Sequence, residues 1–189
     1  MKNFFKDVYD LFTLNANEIG YYKKYSIAAS SLIILIAFIP FQLIMPIPAA
    51  DATAGFILSL IGNFLNYIIG ALFLCLWLKI KKLSVSFAAL YSLSALVSII
   101  YILVLPIDML SKWLDLTDFF AFVFVFLVLL SYWLVMFTSA LSKSTNTSKG
   151  FALSGILLTS LLIIIVSTLV QILGMEMGIL LLPDDIPVS

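Results

Sequence analysis

Apolar residues gather in five runs without a charged side chain: 26–45, 56–78, 85–105, 119–141 and 151–173. A hydrocarbon core ~30 Å thick needs ~20 apolar residues at ~1.5 Å per residue, so each run is long enough to cross. Backbone groups in lipid must pair within the segment, which selects helices. A β-barrel strand would alternate apolar and polar residues, and aliphatic stretches such as 161–166 do not. The expected fold is therefore all-α, a polytopic integral membrane bundle of five transmembrane helices.

The interruptions are short. Pro46, Pro48 and Asp51 mark the first; Lys79, Lys81 and Lys82 the second; residues 106–118 the third; and residues 142–150 the fourth. Short connections predict antiparallel neighbours and a single bundle over residues 26–173, followed by a short outer tail over 174–189. No internal repeat suggests the inverted halves of a transporter.

Residues 1–25 have a different pattern. Phe4, Phe5, Val8, Tyr9, Leu11, Phe12 and Ile19 gather on one face at a helical period, with Lys6, Asp7, Asp10, Asn17 and Glu18 opposite. This predicts an amphipathic helix lying in the inner headgroup layer, or else packed on the bundle or a soluble partner. Lys2 and Lys6 precede a mixed segment rather than an apolar core, so the segment does not read as a cleaved signal peptide.

Charge sets the orientation. Lys2, Lys6, Lys23, Lys24, Lys79, Lys81, Lys82, Lys143 and Lys149 fall on one side if the runs alternate, and Lys112 alone on the other. Positive residues stay cytoplasmic, so the N-terminus is expected inside and the C-terminus outside. Asp51, Asp108, Asp115, Asp118, Glu176, Asp184 and Asp185 then lie outside.

Composition narrows the chemistry. The chain is 63% hydrophobic and 11% charged, against ~45–50% and ~25% in soluble domains, so lipid is the natural solvent for the excess. Net charge is zero, which gives no field for nucleic acid. Arg and His are absent, and Cys75 is the only cysteine, read as an inert buried thiol. No catalytic, cofactor-binding or metal residue is assigned. Ser and Thr abound, but no run holds a base to activate them. Asp108, Asp115 and Asp118 share one loop and read as ordinary surface acids. The runs lack the ionisable groups that mark proton-coupled pumping.

The strongest polar cluster in the lipid region joins Asn63 and Asn66, which share one helix face with Gly70, to Gln42 and Gln171 at similar depth. It reads either as interhelical hydrogen bonding or as a pocket in the outer half of the bundle for a lipid headgroup or neutral solute. Gln42 is the expected partner for one Asn. Ser, Thr, Gly and Ala along the third and fifth runs fit close helix packing. Gly174-Met175-Glu176-Met177-Gly178 matches a GxxxG dimer pattern, and Asn146-Thr147-Ser148 matches a glycosylation sequon on the side expected to face the cytoplasm. Trp77 and Trp133 fit an inner aromatic belt and Trp113 the outer loop.

Ser86-Phe87 with Leu90-Tyr91-Ser92, and Leu141-Ser142 through Lys149-Gly150-Phe151-Ala152, resemble the third-span segment and inner loop of the Yip family, the Ypt/Rab-interacting membrane proteins and their bacterial relatives. The resemblance covers about residues 26–173. Leu90 and Ala95 stand where that family often has Gly and Pro. Asp10-Leu11-Phe12 matches part of the eukaryotic Asp-Leu-Tyr-Gly-Pro motif, with Thr13-Leu14 in place of Gly-Pro, so Rab binding is not carried over. The resemblance implies a non-catalytic, membrane-organising or trafficking-like protein of a bacterial plasma membrane. Its partners would be the lipid bilayer and other membrane proteins; oligomeric state is left open. A small transporter, or a membrane subunit of one, for a neutral solute or lipid is the alternative.

Overall fold

A computed structural model describes residues 2–44, 49, 51–113 and 118–180. Met45, Pro46, Pro48, Asp115, Asp184 and Asp185, which figure in the sequence reading, lie outside the described residues. The chain is all-helical there, apart from an isolated bridge between Ala49 and Leu180. The α-helices are α1 (Lys2–Phe12), α2 (Ile27–Ile44), α3 (Ala52–Lys79), α4 (Phe87–Ser98), α5 (Val104–Trp113), α6 (Asp118–Thr145) and α7 (Lys149–Glu176). Two 3₁₀ segments, Ile19–Lys24 and Ile99–Leu103, lie before α2 and between α4 and α5.

Among the described residues four helical stretches are long and apolar enough to cross a membrane: Ala52–Lys79, Phe87–Met109, Leu127–Thr145 and Lys149–Glu176. The first and last have 28 residues each, ~42 Å at ~1.5 Å per residue. The first run forms a shorter helix of 18 residues with Pro40 inside it.

Helix boundaries follow local chemistry. Asp51, Ser86 and Ser148 cap α3, α4 and α7 by accepting from the amides of Ala54, Ala89 and Phe151. The third run does not stop at Pro106 as its sequence suggests. Pro106 lacks an amide hydrogen for the Ile102 carbonyl, and its ring crowds that carbonyl. The chain tightens into the 3₁₀ segment Ile99–Leu103 and resumes as α5 to Trp113, with an Asp108–Lys112 ion pair at 2.9 Å. Much of the expected 106–118 loop is therefore helix.

Ten consecutive residues of α4, Ala89 through Ser98, are buried, so every face of this helix meets protein. It packs against α2, α3, α6, α1 and the Ile19–Lys24 segment. Hydroxyl pairs lock it to α2: Ser30 to Ser92 at 2.8 Å and Ser31 to Tyr91 at 3.0 Å. By contrast α7 lies at the periphery against α3 and α6. Both α3 and α7 turn long apolar rows outward, Ile57, Ile61, Leu65, Ile68, Leu72 and Leu76 on α3, and Leu161, Ile164, Ile165, Leu169 and Ile172 on α7. Exposed apolar faces of that extent need lipid or protein against them.

The α3–α7 seam runs on small residues, as helix pairs in lipid require. A Cβ on Gly155 would stand 2.5 Å from the Trp77 ring, and one on Gly174 would stand 2.6 Å from Leu58. Trp77 stacks on Phe151 and donates its indole N–H to the Phe151 carbonyl at 3.1 Å. It is thus a packing residue of the seam as well as a belt candidate. Gly174 serves the α3–α7 seam, and both Gly174 and Gly178 serve the end of α7. Gly178, at φ +69°, is the left-handed residue that closes α7, with Ile179 N–H to Gly174 O and Gly178 N–H to Met175 O. That turn sends Leu180 back against Gly174.

Candidate ligand-binding site

Gln42, Asn63, Asn66 and Gln171 line one cavity of about 250 Å³. Phe38 and Gln42 come from α2; Leu58, Ser59 and Gly62 join the two Asn on α3; Ser167 and Val170 join Gln171 on α7; Leu180 completes the wall. Among the described residues α2 and α7 are not packed against each other, so the cavity is the gap between them over α3. Asn66 lies at the midpoint of the 28-residue α3, so the cavity runs from mid-helix toward the α2–α3 turn.

Polar satisfaction inside the cavity is incomplete. The Asn66 amide donates to the Ser167 hydroxyl at 2.9 Å, whereas its Oδ1 is buried without a partner among the described residues. The partner is Ser167 of α7, not Gln42 as the sequence suggested. The reason is geometric: α3 runs along α7 more closely than along α2, which instead follows α4. Gln42 is only 8% exposed and makes no hydrogen bond among the described residues. Ser59 turns away to its own helix, donating to the Gly55 carbonyl at 2.8 Å. Gln171 is exposed and marks the opening. Below Asn66 the seam shuts: a Cβ on Gly70 would meet Thr159 at 3.3 Å, and Trp77 fills the space at Gly155.

A second cluster sits where α1 meets the bundle, and the sequence reading placed its key residue on the wrong face. Asp7 is 1% exposed. It stands three residues after Phe4 and four before Leu11, so it belongs to the stripe that docks, while Phe5 and Tyr9 face outward. The spacing to Phe4 and Leu11 and the tyrosines at 21, 22 and 25 were the available signals. Asp7 accepts from the Tyr21 hydroxyl at 2.8 Å, from the Tyr25 hydroxyl and from Lys24 at 2.5 Å. Burial alone would raise its pKa, but hydrogen bonds from Lys24, Tyr25 and Tyr21 and the Lys24 charge outweigh that and hold it low. Burial likewise opposes the Lys24 charge, and Asp7 with Tyr21 reverses the sign and raises its pKa. Burial lifts the Tyr22 phenol to about 12, against the Asn17 amide hydrogen bond. Lys143 and Tyr132 of α6 bind the end of α1, donating to the Leu14 carbonyl at 2.5 Å and the Phe12 carbonyl at 2.6 Å.

The residues that carry the Yip resemblance hold structural positions. Ser86 caps α4, Tyr91 and Ser92 pair with α2, and Ser142 donates to the Thr147 carbonyl at 2.6 Å to close the turn before α7. No protein-family model matches the chain, and neither a curated protein nor a solved structure does.

Proposed function

We propose that the protein is a non-catalytic, five-span protein of a bacterial plasma membrane, similar to the Yip family, that works by binding lipid and other membrane proteins. Its N-terminus is cytoplasmic and its C-terminus outside, as the lysine distribution favours. Helix α2 is the fifth span: its 18 residues give ~27 Å at ~1.5 Å per residue, close to the ~30 Å core. Helix α1 rests on the bundle and offers Phe5 and Tyr9 to the inner headgroup layer.

One observation carries the binding role: an amide-lined cavity whose Asn66 carbonyl oxygen has no partner among the described residues. A buried polar atom without a partner is costly unless something else fills the role. The close Gly70–Thr159 and Gly155–Trp77 contacts along the α3–α7 seam below Asn66 support a binding pocket over the transporter alternative.

The test is to purify the wild type and Asn63→Leu/Asn66→Leu in mild detergent and identify bound molecules by native mass spectrometry. A ligand retained by the wild type and lost from the variant, with thermal stability unchanged or raised, is expected. Identical bound molecules in both, with stability lowered by the ~0.6 kcal/mol typical of each interhelical hydrogen bond, would make the amides packing alone.

A further inference from the structure

We infer that the cavity takes an uncharged lipid through a free hydroxyl, as in a diacylglycerol. The inference rests on the binding role proposed above and adds the chemical class of the ligand. Among the described residues the lining holds amides, hydroxyls and hydrocarbon and no charged side chain. A phosphate there would be a bare anion near mid-helix depth with no lysine to answer it, and desolvating an unpaired charge is prohibitive. A neutral headgroup avoids that cost.

The polar atoms ask for a hydroxyl. Asn66 Oδ1 needs a donor. With the amide turned the other way, its NH₂ would need an acceptor while Ser167 donated to the oxygen. A hydroxyl answers either arrangement, because it is donor and acceptor at once. Gln42, on the opposite wall, offers both functions again. An ester or ether oxygen accepts only, so a triacylglycerol satisfies neither Asn66 Oδ1 nor the Gln42 carbonyl.

Size and shape say where the rest of the ligand lies. At about 250 Å³, the space exceeds the ~150 Å³ cavity that binds benzene and falls below the ~300 Å³ at which pockets enclose drug-sized ligands. It accommodates a polyol headgroup and not the acyl chains with it. The chains leave beside Gln171, where Leu169, Ile172 and Leu173 present exposed hydrocarbon along α7. A lipid entering from the bilayer follows that route with its chains still in hydrocarbon. A water-soluble polyol has the same hydroxyl chemistry but gains nothing from this apolar margin.

The experiment titrates full-length protein in detergent with dioctanoylglycerol, its acetylated triester, dioctanoyl phosphatidylglycerol and glycerol, read by native mass spectrometry and thermal shift. Saturable binding of dioctanoylglycerol is expected, weakened about tenfold by acetylation and about tenfold by either Asn66→Leu or Gln42→Leu, the scale of a lost buried hydrogen bond. Phosphatidylglycerol and glycerol should not compete. Asn66-dependent binding of phosphatidylglycerol as tight as that of dioctanoylglycerol would overturn the neutral class and leave the binding role standing. Full competition by glycerol would overturn the lipid source and also leave that role. Binding of dioctanoylglycerol unchanged in both Leu variants, or no binding of any probe, would overturn both.

Discussion

Burial alone would raise the Asp7 pKa, and the three donors that converge on its carboxylate reverse that. Its pKa in the folded protein lies below the unfolded value. Its contribution is therefore present above an unfolded pKa of ~3.9 and is lost as pH falls through the folded value. Lys24 behaves in mirror image: its raised pKa gives a contribution present below an unfolded value of ~10.4 and lost as pH rises through the folded one. Docking of α1 should thus be firm across neutral pH and loosen at both extremes. Asp7→Asn should weaken it by about 2–3 kcal/mol, since two tyrosines and Lys24 lose a charged acceptor. Hydrogen exchange confined to residues 2–25 measures this; unchanged protection of α1 in the variant would show the cluster to be inert. Patterning alone misplaced Asp7 because its polarity outweighed its position. The helix is rotated from the purely apolar face by what Tyr21, Lys24 and Tyr25 offer across the contact, and a local pattern carries no information about that side.

Among the elements, α3 and α7 were legible as long apolar helices and the small residues of α7 as packing sites, since length and composition alone decide both. The pairing was less so. Sequence adjacency suggested α2 beside α3 and hence Gln42 beside Asn63, but Gly62, Gly70, Gly155 and Gly174 let α7 come closer to α3 than α2 does. Gly155→Ala places a methyl 2.5 Å from the Trp77 ring. The indole must give up its bond to the Phe151 carbonyl or its stacking, and overpacking of this kind costs about 1–3 kcal/mol. Thermal melts in detergent should show that loss, and adding Trp77→Phe should recover part of it; an undiminished Tm for Gly155→Ala would mean the seam is looser than described. Gly178→Ala forces a side chain into φ +69° at the turn that places Leu180 on the cavity. A loss of about 1 kcal/mol is expected there, the scale for an L-residue in that region. The 3₁₀ break at Ile99–Leu103 escaped the sequence reading, which treated Pro106 as the end of a run rather than as a distortion that packing around α4 absorbs.

For the whole molecule, the four amides of the cavity were found in sequence by their rarity in apolar runs, because polar groups in lipid must face protein or a cavity. Whether they closed on each other or left a space was beyond sequence, since that depends on how far α2 stands from α7. Five spans require that α2 cross, so that the lysine-rich α1 end and the cavity mouth beside Gln171 lie on opposite sides of one membrane. Single cysteines at exposed positions Asn3, Ala52, Lys81, Trp113, Lys149 and Met177, with Cys75 replaced, can be probed on intact cells with an impermeant thiol reagent. Labelling at 52, 113 and 177, and at 3, 81 and 149 only after the membrane is opened, is the result predicted. Asn3 and Ala52 labelled from the same side would mean that α2 does not cross, and would contradict the five-span account.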